Sequence, residues 1–132
     1  MFGKKKQPPI KSLIAQGTRI DGNITFQDGL RVDGEVVGDI RAIKDASSIL
    51  VISEAATVCG QIHADHVIIN GHVKGPVHAL ALLELQPKAR IEGDVSYKAL
   101  EIHQGATIDG QLKPMTGVLE DKPTLKLAAN NL

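Results

Sequence analysis

Residues 89–95 read ARIEGDV, and residues 106–112 read ATIDGQL, nearly the same phrase around a fixed glycine. The phrase also occurs as TRIDGNI from Thr18, GEVVGDI from Gly34, ATVCGQI from Ala56 and GHVKGPV from Gly71, which makes six copies. The first of its seven positions is small. The third is a β-branched apolar residue (Ile20, Val36, Val58, Val73, Ile91, Ile108) and the seventh is aliphatic (Ile24, Ile40, Ile62, Val77, Val95, Leu112). The fifth is always glycine: Gly22, Gly38, Gly60, Gly75, Gly93 and Gly110, spaced 16, 22, 15, 18 and 17 residues apart. An irregular period of this size, repeated this often, is the signature of a solenoid.

Within residues 17–112 the apolar residues alternate and are β-branched, and Gly or Asp-Gly breaks each run. That is strand chemistry with frequent corners. Further apolar steps, LRV, ILV, VII, LEL and LEI, begin at Leu30, Ile49, Val67, Leu83 and Leu100. Each rung is therefore expected to hold about three short strands, stacked roughly 4.8 Å from its neighbours. The fold class is all-β, a single-domain β-helix of about six rungs. The third and seventh columns should point inward, with Val36, Ile40, Val58, Ile62, Val73, Val77, Ile91 and Val95 as the core ladder. The fifth column should lie at a corner where a Cβ would clash or a positive φ is needed. The sixth (Asn23, Asp39, Gln61, Pro76, Asp94, Gln111) is polar or turn-forming, as an outward position requires.

Three segments follow. Residues 1–16 are basic, contain Pro-Pro and lack the phrase, so a flexible arm is expected; residues 17–112 are the β-helix; residues 113–132 read as a second, Pro-containing flexible tail. Formal net charge is zero over 132 residues, but four lysines and no acid lie in the arm, against eight basic and thirteen acidic side chains in the body. An acidic body with three aromatics (Phe2, Phe26, Tyr97) argues against direct binding of nucleic acid. The lone Cys59 precludes an intrachain disulfide, no apolar run approaches the roughly 20 residues of a span, and no h-region follows the N-terminal lysines. The expected location is cytoplasmic.

Chemistry-bearing motifs are scarce. No P-loop, G-x-S-x-G, H-E-x-x-H or C-x-x-C pattern occurs, and no catalytic, cofactor or metal residue is assigned. His63 and His78 follow the seventh position of neighbouring rungs and should stack outward, with His66 close in sequence. Such a group could hold zinc, but a solvated ladder is the simpler reading. His72 and His103 read as exposed, and Cys59 as an inert surface thiol.

The arm and the ends carry more. Met1, Phe2, Lys4, Lys5 and Lys6 combine an apolar tip with a cationic cluster suited to anionic lipid, each lysine contributing about 1 kcal/mol. A solubilising basic tail is the alternative. A β-helix also has two open edges of unpaired backbone. The terminal rungs present Ile20, Ile24, Phe26 and Leu30 at one end and Leu100, Ile102, Ile108 and Leu112 at the other, and no capping helix is evident. End-to-end stacking would satisfy both edges. Alternatively Leu119, Leu125 and Leu127 fold back to cap one end.

With MFGKKK at the start, six small-x-Ile/Val-x-Gly-x-Ile/Val phrases and a Pro-containing tail, the chain resembles the bactofilins, bacterial cytoskeletal proteins. The resemblance implies a right-handed β-helix and nucleotide-independent homopolymerisation through the terminal rungs. It also implies attachment to the inner face of the cytoplasmic membrane by the arm, and a scaffold role for cell-wall enzymes or chromosome-positioning proteins. The fourth rung departs slightly, with Pro76 after the glycine and HALALLEL beyond it. The competing reading is a trimeric left-handed β-helix enzyme, an acyltransferase or γ-type carbonic anhydrase, whose strict six-residue steps the glycine spacings break. An ice-binding solenoid would need regular threonine pairs, whereas the outward columns are mixed and charged.

Overall fold

The computed structural model describes residues 8–43 and 47–115, and all regular structure in them is β. Strand β1 (Ile10–Ile14) comes first. The first rung is β2 (Arg19–Asp21), β3 (Ile24–Phe26) and β4 (Gly29–Val32); the second is β5 (Glu35–Val37), β6 (Ile40–Ala42) and β7 (Ile49–Ile52). From the third rung on, two strands fuse into one that bends round a corner. These rungs are β8 (Thr57–Cys59) with β9 (Ile62–Ile69), β10 (His72–Lys74) with β11 (Val77–Leu85), β12 (Arg90–Glu92) with β13 (Val95–Ile102), and β14 (Thr107–Asp109) with β15 (Leu112–Pro114).

Every pairing is parallel. The first face is the six-stranded sheet β2-β5-β8-β10-β12-β14. The second begins with β3 and β6 and continues in the leading halves of β9, β11 and β13 to β15; the third runs from β1 through β4 and β7 into their trailing halves. The result is a three-sided β-helix of about six turns.

Register turns the repeated phrase into columns. Ile20, Val36, Val58, Val73, Ile91 and Ile108 stack in sequence on the first face. Val36, Ile40, Val58, Ile62, Val73, Val77 and Val95 are wholly buried, and Ile91 is 1% exposed. Burying each such side chain contributes about 1.5–3 kcal/mol. At the glycine corner both demands operate together. Gly60 has φ +155°, and a Cβ on it would lie 2.1 Å from the Gly38 carbonyl oxygen. The column after the glycine does more than face water, because its side chains accept backbone N–H bonds from the next rung. Asp39 N–H donates to Asn23 Oδ1, Gln61 N–H to Asp39 Oδ1 and Gln111 N–H to Asp94 Oδ1, each at 2.9 Å. Pro76 has no N–H to donate and interrupts this ladder.

Irregularity is local, and one register shift falls within β1 between Ile10 and Ser12. In the fourth rung HALALLEL forms a bulge between Ala79 and Leu82. The second rung is long because residues 43–48 lie between β6 and β7. The chain re-enters at Ser48, which is 2% exposed. Ser48 N–H donates to Asp65 Oδ2 at 3.2 Å and its Oγ accepts from Asp65 N–H at 3.0 Å.

The N-terminal boundary differs from the expected arm over 1–16. Residues 10–14 pair with β4, because Ile14 docks inward on Val32 and Gly29 lets the backbone of Pro9 and Ile10 lie against it. A Cβ on Gly29 would meet the Pro9 carbonyl oxygen at 2.4 Å. At the other end Leu112–Pro114 pairs with Val95–Tyr97.

Candidate assembly surfaces

Among the described residues, strands β1, β2 and β3 pair only with the rung above them, and β14, β15 and the trailing half of β13 only with the rung below. At the N-terminal end Ile20 and Ile24 are half-buried, packed on the core from one side, while Ile10 and Leu13 on β1 are 46% and 58% exposed. At the C-terminal end Leu100 and Ile108 are half-buried, and Ile102 and Leu112 are each 48% exposed.

Two residues expected at the open N-terminal end are instead core. Phe26 is 6% and Leu30 2% exposed. Leu30 is covered because β1 pairs over β4, with Ser12 opposite it. Phe26 turns inward opposite Ala42, where the small partner leaves room for a ring. A matching aromatic stands near the other end: Ala64, Ala79 and Tyr97 share one column, and Tyr97 packs on the core, its phenol pKa raised by burial. Alanines thus fill the tight middle of the column and aromatics plug its ends. Ile10 and Leu13 replace Phe26 and Leu30 as the exposed apolar side chains there.

Electrostatics reinforce the last rung. Asp94 accepts from Gln111 N–H and pairs with Lys113 at 3.2 Å. These contacts, the backbone bond first, hold its carboxyl below the ordinary range. At the first rung Lys11 and Asp28 pair at 2.9 Å, tying β1 to the adjoining corner.

His63 and His78 are register partners with ring centroids 5.7 Å apart, in an outward column that runs Thr25, Arg41, His63, His78, Ser96, Lys113. Among the described residues no set of three metal-capable side chains forms around them. His66 lies on the third face, its pKa lowered by burial against the opposing influence of Glu84 and Glu101. His72 is half-buried rather than fully exposed and hydrogen-bonds Glu92, whose carboxyl is held low mainly by that bond. Cys59 is half-buried on the outward side of the first face, between Val37 and Lys74.

The residues did not announce one cluster. Glu84, Glu101 and His103 bring one ligand atom each within 4.8 Å of one another. The phase of the LEL and LEI steps would have aligned the two glutamates. His103, two residues beyond the second step, needed the corner geometry. The arm residues Met1, Phe2, Lys4, Lys5 and Lys6, and Leu119, Leu125 and Leu127, lie outside the described residues. No helix among the described residues is long and apolar enough to cross a membrane, which leaves β-barrel spanning unaddressed.

Comparison with known proteins agrees with this architecture. Bactofilin BacO of Myxococcus xanthus (strain DK1622) is 29% identical over 111 residues, covering 84% of this chain and 85% of its own length. Bactofilin BacP of the same organism is 25% identical over 101 residues, covering 76% of this chain but 40% of BacP. No solved structure matches the chain significantly. The family profile described as "Bactofilin: Polymer-forming cytoskeletal" matches residues 12–113, nearly the whole β-helix, and the chain belongs to the bactofilin family of polymer-forming cytoskeletal proteins.

Proposed function

We infer that the chain self-assembles end to end, without nucleotide, into filaments that lie on the inner face of the cytoplasmic membrane. There they serve as a scaffold for cell-shape, cell-wall or positioning factors. The observation that carries this reading is the pair of edges left open among the described residues, each combining unpaired backbone with half-exposed aliphatic side chains. Ile10, Leu13, Ile20 and Ile24 mark one edge, and Leu100, Ile102, Ile108 and Leu112 the other. Free edges of this kind are templates for further pairing. A copy stacked on either edge gains main-chain bonds and buries aliphatic surface at once.

Membrane association rests on the arm. Three lysines contribute on the order of 3 kcal/mol at an anionic surface, weaker than the roughly 4 kcal/mol of millimolar affinity. One copy would bind marginally, whereas a filament displaying many arms would bind tightly. Partners other than the chain itself follow from the scaffold reading and are cell-wall enzymes or chromosome-positioning proteins.

Electron microscopy of the full chain without nucleotide or metal tests assembly, with Ile20→Asp and Leu112→Asp as edge variants. Unbranched filaments are expected from the native chain and single particles from the double variant. Discrete small particles from the native chain refute end-to-end assembly. Sedimentation with anionic and neutral vesicles, with and without residues 1–6, tests the arm. Equal recovery of both forms on anionic vesicles refutes its role.

A further inference from the structure

The third face sets two carboxylates opposite each other beside one imidazole. Glu84 and Glu101 are direct register partners on adjacent parallel strands. Like charges placed directly opposite destabilise a sheet. Glu84 is also partly sheltered, with a side chain only 21% exposed. His103 brings Nε2 to 3.6 Å from Glu84 Oε2 and 3.3 Å from Glu101 Oε2. Both separations exceed the roughly 2.7–2.9 Å of a charge-assisted hydrogen bond. The His72–Glu92 pair, by contrast, closes to a hydrogen bond.

The longer separations have a simple reading. Two ligand atoms each about 2.0–2.2 Å from a tetrahedral cation lie roughly 3.3–3.6 Å apart. We propose that Glu84, Glu101 and His103 form a binding site for a divalent first-row transition cation, with zinc as the reference ion. One imidazole and two carboxylates supply a borderline-soft set of three ligands and leave a position open for water. The positive ion neutralises the opposed carboxylates and takes up the imidazole lone pair. Magnesium, which demands octahedral oxygen and keeps its waters, fits this set poorly.

The supports are rigid. Glu84 and Glu101 stand on paired strands, and His103 N–H donates to the Leu85 carbonyl at 2.8 Å, fixing the corner that carries the ring. Gln86 Nε2 lies 3.5 Å from Glu84 Oε2 and can steady that carboxylate. Glu101 and His103 belong to the last third-face strand among the described residues, and Glu84 to the rung beneath. The bound cation therefore clamps the fifth rung to the fourth on this face.

Calorimetric titration of the full chain with zinc at neutral pH tests this, with magnesium as the counter-ion control and circular dichroism to verify the fold of each variant. One zinc per chain is expected, weakened roughly tenfold or more by Glu101→Gln and by His103→Ala. His63→Ala/His78→Ala should bind as the native chain does. Zinc should also slow amide exchange around residues 99–109 in the native chain and not in Glu101→Gln. Absence of zinc binding overturns the proposal, as does binding that survives in both Glu101→Gln and His103→Ala, or binding lost only with His63 and His78.

Discussion

Replacing one glycine of the corner column by alanine separates the two reasons for glycine there. Gly60→Ala places a residue with a Cβ at φ +155°, a conformation that costs of order 1–3 kcal/mol. It also sets the new methyl 2.1 Å from the Gly38 carbonyl oxygen and 2.5 Å from its carbonyl carbon. An ordinary C···O contact is about 3.3 Å, so the second and third rungs must part locally by roughly 1 Å. The bonds at risk are Gly38 N–H to the Cys59 carbonyl and Ile40 N–H to the Gln61 carbonyl, both at 2.9 Å. Weakening two ladder bonds beside a sealed core adds about 2–4 kcal/mol, for a total of about 3–7 kcal/mol. That is a large fraction of the stability of an ordinary domain. Gly22→Ala is the control, with φ +138° but nothing within 4 Å, and should cost only the conformational 1–3 kcal/mol. Gly110→Ala isolates the contact, since it lies outside the left-handed region and its Cβ would meet the Gly93 oxygen at 2.0 Å. Urea unfolding followed by far-UV circular dichroism, at concentrations where light scattering reports single chains, gives all three values. Equal losses at Gly22 and Gly60, or no loss at Gly110, would refute the close-approach argument and leave φ alone.

Other perturbations have equally definite outcomes. Val58→Asp or Ile91→Asp sets a carboxylate in a column that is 0–1% exposed and should cost more than about 4 kcal/mol, abolishing folding; soluble protein with a cooperative melt contradicts this register. Asp65→Ala strands the Ser48 N–H and should cost about 1–3 kcal/mol in urea unfolding, and a loss under 0.5 kcal/mol would dissolve the importance of that corner lock. The half-buried imidazole of His66 takes its proton at lower pH than it does in the unfolded chain, where the ordinary value is 6.5. Its contribution is therefore complete above that pH and declines as pH falls below it. Thermal melts between pH 8 and 5 should show the decline, and His66→Gln should flatten it. The depressed carboxyl of Asp94 acts further down, stabilising the last rung above the ordinary carboxylate range and releasing it as pH falls through the folded value. Amide exchange at Gln111 should accelerate there, and unchanged exchange would count against the Asp94 contact.

Most of the architecture was legible because one phrase recurs in phase. Branched residues in the third and seventh places and glycine in the fifth define three columns, and a parallel ladder is the fold that makes columns of them. Other features obeyed constraints the phrase does not carry. Strand β1 has no glycine phrase because it occupies only the third face, and its single buried anchor, Ile14, is too little periodicity to read. Phe26 looked like an exposed end residue because its neighbour in space, Ala42, lies a whole rung away in sequence. The polar column after the glycine was legible as outward, but its role as acceptor for the next rung's N–H groups depends on register. Glu84 and His103 meet for the same reason, since the intervening rung fixes which residues face each other.

The long second rung has a practical consequence. Ile43 N–H still donates to the Phe26 carbonyl at 2.8 Å, and the next strand is locked in by the Ser48–Asp65 clasp, so both sides of this corner are anchored on the ladder. This corner lies on the flank of the second rung, not on a terminal edge. A fluorescent domain or affinity peptide inserted here would ride on the flank of every subunit without blocking the ends. The same corner offers a labelling position for following filament growth in living cells.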